Sequence, residues 1–257
     1  MISAPKFWHQ ILNLNLTDDL APYIHRANLW FPLFVMLTFH KFLTTGIGRK
    51  MVMALTGLAL IGFLITHMAG NLVIFLGAEA YNNYSHKLIS NPLIYLAEFI
   101  LLAFFVGHFI NGFIVTYTNR KARPVAYQVK KGANHTSRKS ISSSTMIVSG
   151  LILLVFVPLH LITFKYGPAY ASAANPEVRD IHRLVMEEFT EMGEVIWYVL
   201  AMIVVGFHLW HGFMSAFESL GINHNKKIRC LGHVLATVIT GGFVIIPILI
   251  FLSGGKL

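Results

Sequence analysis

Charge is scarce in this chain. Charged residues fill 12% of its 257 positions, about half the share usual in soluble domains. Acids are the scarcer sign, 11 Asp and Glu against 20 Lys and Arg, for a net charge of +9. Cysteine occurs once, at Cys230. One cysteine excludes an intrachain disulfide framework, a covalently attached haem and a cysteine-held iron–sulfur cluster. There is no phosphate-binding glycine loop, no flavin fingerprint and no nucleophile–base constellation. These absences exclude a soluble globular enzyme, a disordered chain and a nucleic-acid reader. The basic excess reads instead as Lys and Arg retained in the cytoplasmic loops of a membrane protein.

Long apolar runs are what the chain has in abundance, with 55% of residues hydrophobic. A helix needs about 20 mostly apolar residues to cross the hydrocarbon core. Five stretches qualify: about Met51 to Leu76, Pro92 to Tyr117, Ser144 to Phe164, Val195 to Phe217 and Val234 to Leu252. Gly57, Gly112, Pro158 and Pro247 fall inside them, which membrane helices tolerate. A sixth stretch, Ala27 to Thr45, is broken by Pro32, His40 and Lys41 and reads as interfacial.

Loop charge orients the bundle. Arg49 and Lys50 precede the first span. Arg120, Lys121, Arg123, Lys130, Lys131, Arg138 and Lys139 follow the second, and Lys226, Lys227 and Arg229 follow the fourth. The remaining connections are poor in basic residues, and the one from Gly167 to Glu194 is rich in Glu. The positive-inside rule then puts the basic ends and the amino terminus in the cytoplasm. The expected fold is an all-α integral membrane protein: a five-transmembrane-helix bundle (residues 46–257) behind an amphipathic N-terminal extension (residues 1–45). A short amphipathic helix is expected near Arg179 to Glu191 on the outer surface.

The chain has 13 histidines. Four of them, His67, His108, His160 and His208, lie deep in four separate spans. Ionisable groups at such depth are costly and tend to mark function. Counted at about 1.5 Å per residue, His67 and His160 sit about 24 Å from the cytoplasmic ends of their spans, and His108 and His208 about 14 Å. The four sort into two pairs, about 10 Å apart along the membrane normal. Two facing imidazoles at each level suit two bis-His b-type haems. Zinc wants three or four ligands at one level. His211 is a less favoured alternative to His208, while His40, His86, His224 and His233 read as interfacial.

The chain is also weakly repeated. The first and third spans read LTGLALIGFLITH and VSGLILLVFVPLH, and the second and fourth read HFING and HLWHG. Gly57 and Gly150 each lie ten residues before the histidine, and Gly112 and Gly212 four residues after it. Gly57 and Gly150 are expected to give clearance to the inner haem, since glycine lets a ring edge approach the backbone. Packing of small residues between helices is the other reading.

The runs GRKMVMALTGLALIGFLITHMAGNLVIFLG, FFVGHFINGF, VSGLILLVFVPLHL and GFHLWHGFMSAFESLG resemble one family. It is the membrane cytochrome b subunit of bacterial succinate:quinone oxidoreductases, of the type with a single five-helix anchor and two haems b. The resemblance covers about Gly46 to the C-terminus. It implies an anchor in the bacterial inner membrane, with a flavoprotein subunit and an iron–sulfur subunit docked on its cytoplasmic face. Electrons would pass between the iron–sulfur subunit and a membrane quinone through two haems b. His67 and His160 would be axial to the outer haem iron, and His108 and His208 to the inner. Menaquinone is expected rather than ubiquinone. Either direction, succinate oxidation or fumarate reduction, is open, as is a higher oligomer of the complex.

Ser85, His86 and Glu98 are the quinone-site candidates, with Tyr81, Tyr84 and Lys87 nearby at the head of the second span. Glu98 reads as a buried acid, either a helix–helix contact or a quinone-linked proton carrier. Some menaquinol-oxidising relatives carry Glu two residues before the fourth-span histidine, where this chain has Gly206. That departure puts proton transfer by that route in doubt. Two other classes stay open: the dihaem anchor of a hydrogenase or formate dehydrogenase, and a haem-free transporter. Inverted repeats would favour the transporter, whereas the repeat here is parallel.

Overall fold

The computed structural model describes residues 30–122, 141–222 and 225–256. Residues 1–29, the basic residues Arg123 to Lys139 and His224 lie outside the described residues. The chain divides into two compact units, with the break between Gly48 and Arg49. In the first unit, α1 (Trp30–Thr44) has 15 residues. At about 22 Å it is too short to cross a bilayer core of about 30 Å.

Five helical segments are long and apolar enough to cross a membrane: Gly46–Leu76, Leu93–Lys121, Thr145–Lys165, Met192–Ser219 and Lys226–Leu252. The first is α2 (Gly46–Leu72) extended by a 3-10 turn at Val73–Leu76. A short helix, α3 (Ala78–Ile89), precedes the second span, α4 (Leu93–Lys121). The third is α5 (Ile141–His160), widening into a π turn at Leu161–Lys165. The short helix α6 (Ile181–Glu188) leads to α7 (Met192–Ser219), and α8 (Lys226–Leu252) closes the bundle. The described residues form no extended strand, only an isolated bridge between Ala171 and Arg179. The protein is an all-α, five-span integral membrane bundle.

The spans outrun their apolar windows at several ends. The second continues to Lys121 and the fifth begins at Lys226. Hydropathy marks only the part of a helix that needs hydrocarbon, and the backbone ladder continues through polar residues at the interface. Large apolar side chains stand exposed along the spans, among them Phe99, Leu102 and Phe113 on α4 and Phe207 on α7. Exposed apolar surface on this scale is foreign to a soluble monomer and is what a lipid solvent accepts.

The core is centred on α7, which packs along α8 and α5 and buries Tyr198, Ala201, Met202, Val205, Leu209 and Phe213. By contrast, α4 buries no residue. On the outer side, Asp180 caps α6 by accepting from the Arg183 N–H at 3.0 Å, and α6 packs on α3. Asn82 ties the two together. Its amide donates to Asp180 at 2.8 Å, and its carbonyl oxygen accepts the His182 N–H at 2.9 Å. Arg179 completes the outer cap by donating to the carbonyls of Lys165, Gly167 and Pro168. It satisfies the Lys165 carbonyl, which the end of the helix leaves without a partner, and two carbonyls of the loop beyond.

Candidate histidine pairs and their neighbours

The four deep histidines meet in two pairs. The rings of His67 on α2 and His160 on α5 are 5.9 Å apart, centroid to centroid. Those of His108 on α4 and His208 on α7 are 6.2 Å apart. His208, rather than His211, faces His108. Gly57 lies against His108 and is ten residues from His67, about 15 Å of helix. Contact thus separates the two levels by more than counting from the span ends, since those ends are set by hydropathy and not by the helices' relative shift.

Each pair joins one repeat to the other, and the repeat reaches further than the sequence comparison took it. On α2 the order is Met53, Thr56, Gly57, Phe63, His67, and on α5 it is Met146, Ser149, Gly150, Phe156, His160, at identical spacings. Phe63 stacks on His67 at 5.1 Å and Phe156 on His160 at 5.7 Å. A Cβ on Gly112 would lie 3.6 Å from the Met53 sulfur, and one on Gly212 would lie 3.8 Å from Met146 Cε. Two halves of like design therefore face each other with both histidine pairs at their junction.

The inner rings are fixed by polar groups on the neighbouring span. His108 Nδ1 donates to the Met53 carbonyl at 2.9 Å, with Thr56 Oγ1 at 3.4 Å. Thr56 donates its own proton to the Val52 carbonyl at 2.7 Å. His208 Nδ1 is 2.9 Å from Ser149 Oγ, whose proton goes to the Met146 carbonyl at 3.0 Å. At His108 Nδ1 must be the donor, because a carbonyl can only accept, and at His208 it is the donor when Ser149 gives its own hydrogen to the Met146 carbonyl. Nε2 is left with a lone pair, the tautomer a metal-ligating histidine needs.

The outer rings are held mainly by aromatic neighbours. His67 also packs near Phe243 at 5.6 Å. His160 lies 5.3 Å from Phe164, and its Nδ1 is 3.4 Å from the Tyr198 hydroxyl. Asn71 donates to the His67 carbonyl at 2.8 Å, and Tyr81 on α3 donates to Asn71 Oδ1 at 3.0 Å. Burial pushes the Tyr81 phenol up to about 12.

A bis-imidazole iron would sit comfortably in this spacing. Metal–nitrogen bonds of about 2 Å, plus roughly 1 Å from each nitrogen to its ring centre, put two axial rings about 6 Å apart. Packed aromatic rings share that spacing, so distance alone does not decide. The fit lies in its occurrence at two levels, with both inner Nδ1 groups already occupied. Among the described residues no cluster of three or more His, Cys, Asp or Glu side chains is arranged to hold a metal ion, so the histidines remain pairs.

Both glycines lie beside an inner imidazole. A Cβ on Gly57 would fall 2.9 Å from His108 Cε1, and one on Gly150 would lie 3.8 Å from His208 Cε1. The contact is tight at Gly57 and has ordinary clearance at Gly150.

No hydrogen bond or ion pair joins the quinone candidates to one another among the described residues. Ser85 and His86 lie on α3, which is a helix of its own and not the head of the second span, and His86 Nε2 is 3.3 Å from Ser90 Oγ. Glu98 is not a buried acid. It pairs with Lys165 of the π turn, their side chains 40% and 38% exposed. Gly206 packs against α8, where a Cβ would come within 2.5 Å of Thr240 Oγ1. Sequence reasoning passed over Thr56, Ser149, Asn71 and Tyr198. For the first two a signal existed, a hydroxyl residue immediately before the repeated glycine.

No protein-family model, curated protein or solved structure matches the chain.

Proposed function

We propose that this protein is the membrane cytochrome b anchor of a bacterial succinate:quinone oxidoreductase. In this reading it carries electrons between an iron–sulfur subunit on the cytoplasmic face and a quinone, menaquinone rather than ubiquinone, in the inner membrane. One observation carries the reading: two histidine pairs, their rings 5.9 and 6.2 Å apart, recur at two depths along the junction of two repeats. The resemblance of the sequence runs supplies the partner subunits.

His67 with His160, and His108 with His208, are the residues that would hold two haems b. Such groups, when bound, supply one-electron carriage. The protein's part is ligation, orientation and exclusion of water. The Met53 carbonyl and the Ser149 hydroxyl would keep the inner Nδ1 atoms protonated. Phe63, Phe156, Phe164 and Phe243 give the outer rings an apolar wall. The basic ends near Arg49, Arg120, Lys121, Lys226 and Lys227 fall on one side by helix alternation, and Glu187, Glu188, Glu191 and Glu194 on the other. That asymmetry supports a cytoplasmic amino terminus.

The test is a reduced-minus-oxidised visible spectrum of the purified native complex, with a pyridine haemochrome count per chain and identification of the co-purifying subunits. Two haems b with a flavoprotein and an iron–sulfur subunit are expected. Two haems with hydrogenase or formate dehydrogenase subunits would move the anchor to another oxidoreductase. No haem would overturn the electron-transfer reading.

A further inference from the structure

The two repeats hold their inner histidines by different means. At His108 the Nδ1 proton goes to a backbone carbonyl, that of Met53 at 2.9 Å, and the Thr56 hydroxyl stands further off at 3.4 Å. At His208 no carbonyl among the described residues plays that part, and Ser149 Oγ lies 2.9 Å from Nδ1. Side-chain exposure does not separate the two hydroxyl residues: Thr56 is 9% exposed and Ser149 8%. A carbonyl at a helical position cannot be removed by changing a side chain, whereas a serine hydroxyl can.

We propose that Ser149 is the positioning residue for His208, fixing its tautomer and ring orientation toward the inner cofactor, and that Thr56 is dispensable for the same task at His108. This rests on the dihaem reading. The Ser149 hydroxyl lies 3.0 Å from the Met146 carbonyl one turn back, and with its hydrogen given to that carbonyl it faces His208 as an acceptor. It thereby holds the hydrogen on Nδ1 and leaves Nε2 as the donor atom. Without it, the buried Nδ1–H has no partner. The neutral ring can then exchange tautomers or rotate, and both compete with ligation. Losing such a supporting bond typically costs about 10- to 100-fold in metal affinity. The bond also raises the basicity of the ligating nitrogen, so its loss should raise the midpoint potential of the inner component alone.

The experiment compares the whole native complex carrying Ser149→Ala, Ser149→Thr or Thr56→Val with the parent. Its readouts are haem content, a redox titration resolving the two components, and the low-temperature EPR signals of the ferric haems. Ser149→Ala is expected to lower inner-haem retention by at least about 10-fold under competition with a haem-scavenging apoprotein, and to raise the inner midpoint. The outer haem should be retained as the internal control for folding. Ser149→Thr should restore both values, and Thr56→Val should match the parent.

If Ser149→Ala fails to accumulate, Ser149→Cys keeps the volume with a much weaker acceptor, and its inner midpoint should still rise. Parent-like retention, midpoint and EPR signals in Ser149→Ala or Ser149→Cys would overturn the proposal while leaving the dihaem reading intact. So would an equal effect from Thr56→Val. A parent complex without haem would overturn both.

Discussion

Gly57 and His108 are packed so closely that a single added methyl would lie 2.9 Å from the imidazole Cε1. The equivalent pair in the other repeat, Gly150 and His208, leaves 3.8 Å. Gly57→Ala should therefore displace His108 and cost about 1–3 kcal/mol of overpacking. Gly150→Ala meets only ordinary contact and should stabilise by about 0.4–1 kcal/mol, since alanine has less freedom to lose in the unfolded chain. Thermal unfolding of the two variants in the same detergent, with a haem count on each, checks the asymmetry. Equal effects would mean that the two halves are closer to symmetric than the contacts indicate.

Tyr81 gives the outer side a pH dependence. Its phenol is buried against Asn71 and pushed up from 10.0 to about 12. A group whose pKa is raised by folding contributes stability below its unfolded value and loses it as pH climbs to the folded value. Stability should therefore fall between about pH 10 and pH 12 through this group. Tyr81→Phe should remove that slope and cost about 1 kcal/mol at neutral pH for the lost hydrogen bond. Unfolding midpoints measured from pH 8 to 12 for parent and variant test both statements.

The Glu98–Lys165 pair joins the second span to the turn after the third. An exposed pair in water contributes about 0–1 kcal/mol. Neutralising one partner near hydrocarbon instead leaves a lone charge in a poor solvent. Glu98→Gln and Lys165→Gln should each destabilise more than the double variant Glu98→Gln/Lys165→Gln. The thermal stabilities of the three variants decide it. If Glu98→Gln also leaves haem content and quinone reduction unchanged, Glu98 is a helix contact and not a proton carrier.

Asn82 is 2% exposed and is the hinge-pin of the outer cap. Asn82→Ala strips a partner from Asp180 and from the His182 N–H, at about 1–3 kcal/mol for buried groups left unsatisfied. The outer helices α3 and α6 should become more open to protease added on that side, with the inner histidine pair unaffected. Unchanged proteolysis would show that Arg179 and the apolar contacts hold the cap alone.

Much of the fold was legible in the sequence because the bilayer imposes a length. Five apolar runs gave five spans, and the Glu-rich connection contained α6. The short stretch before them is a helix too short to cross. The α3 helix was missed as a helix, since its mean hydropathy is low and its amphipathic pattern covers only Ala78–Ile89. The grouping of four histidines into two levels was also legible, because an α-helix converts residue number into depth at a fixed rise.

Which oxygen holds which ring could not be read the same way. Ser149 and His208 are 59 residues apart, and Thr56 and His108 are 52 apart. Glu98 finds Lys165 and Asn82 finds Asp180 over comparable separations. The sequence by itself determined the five spans, their alternation and the sorting of the histidines into two levels, since all three follow from apolar length and helical rise along one segment. Only the tertiary structure decided that Gly57 seats an imidazole, that a serine and a carbonyl do the same task in the two repeats, and that Glu98 is paired. Those outcomes depend on the rotation and relative shift of packed helices, which no local pattern along one helix specifies.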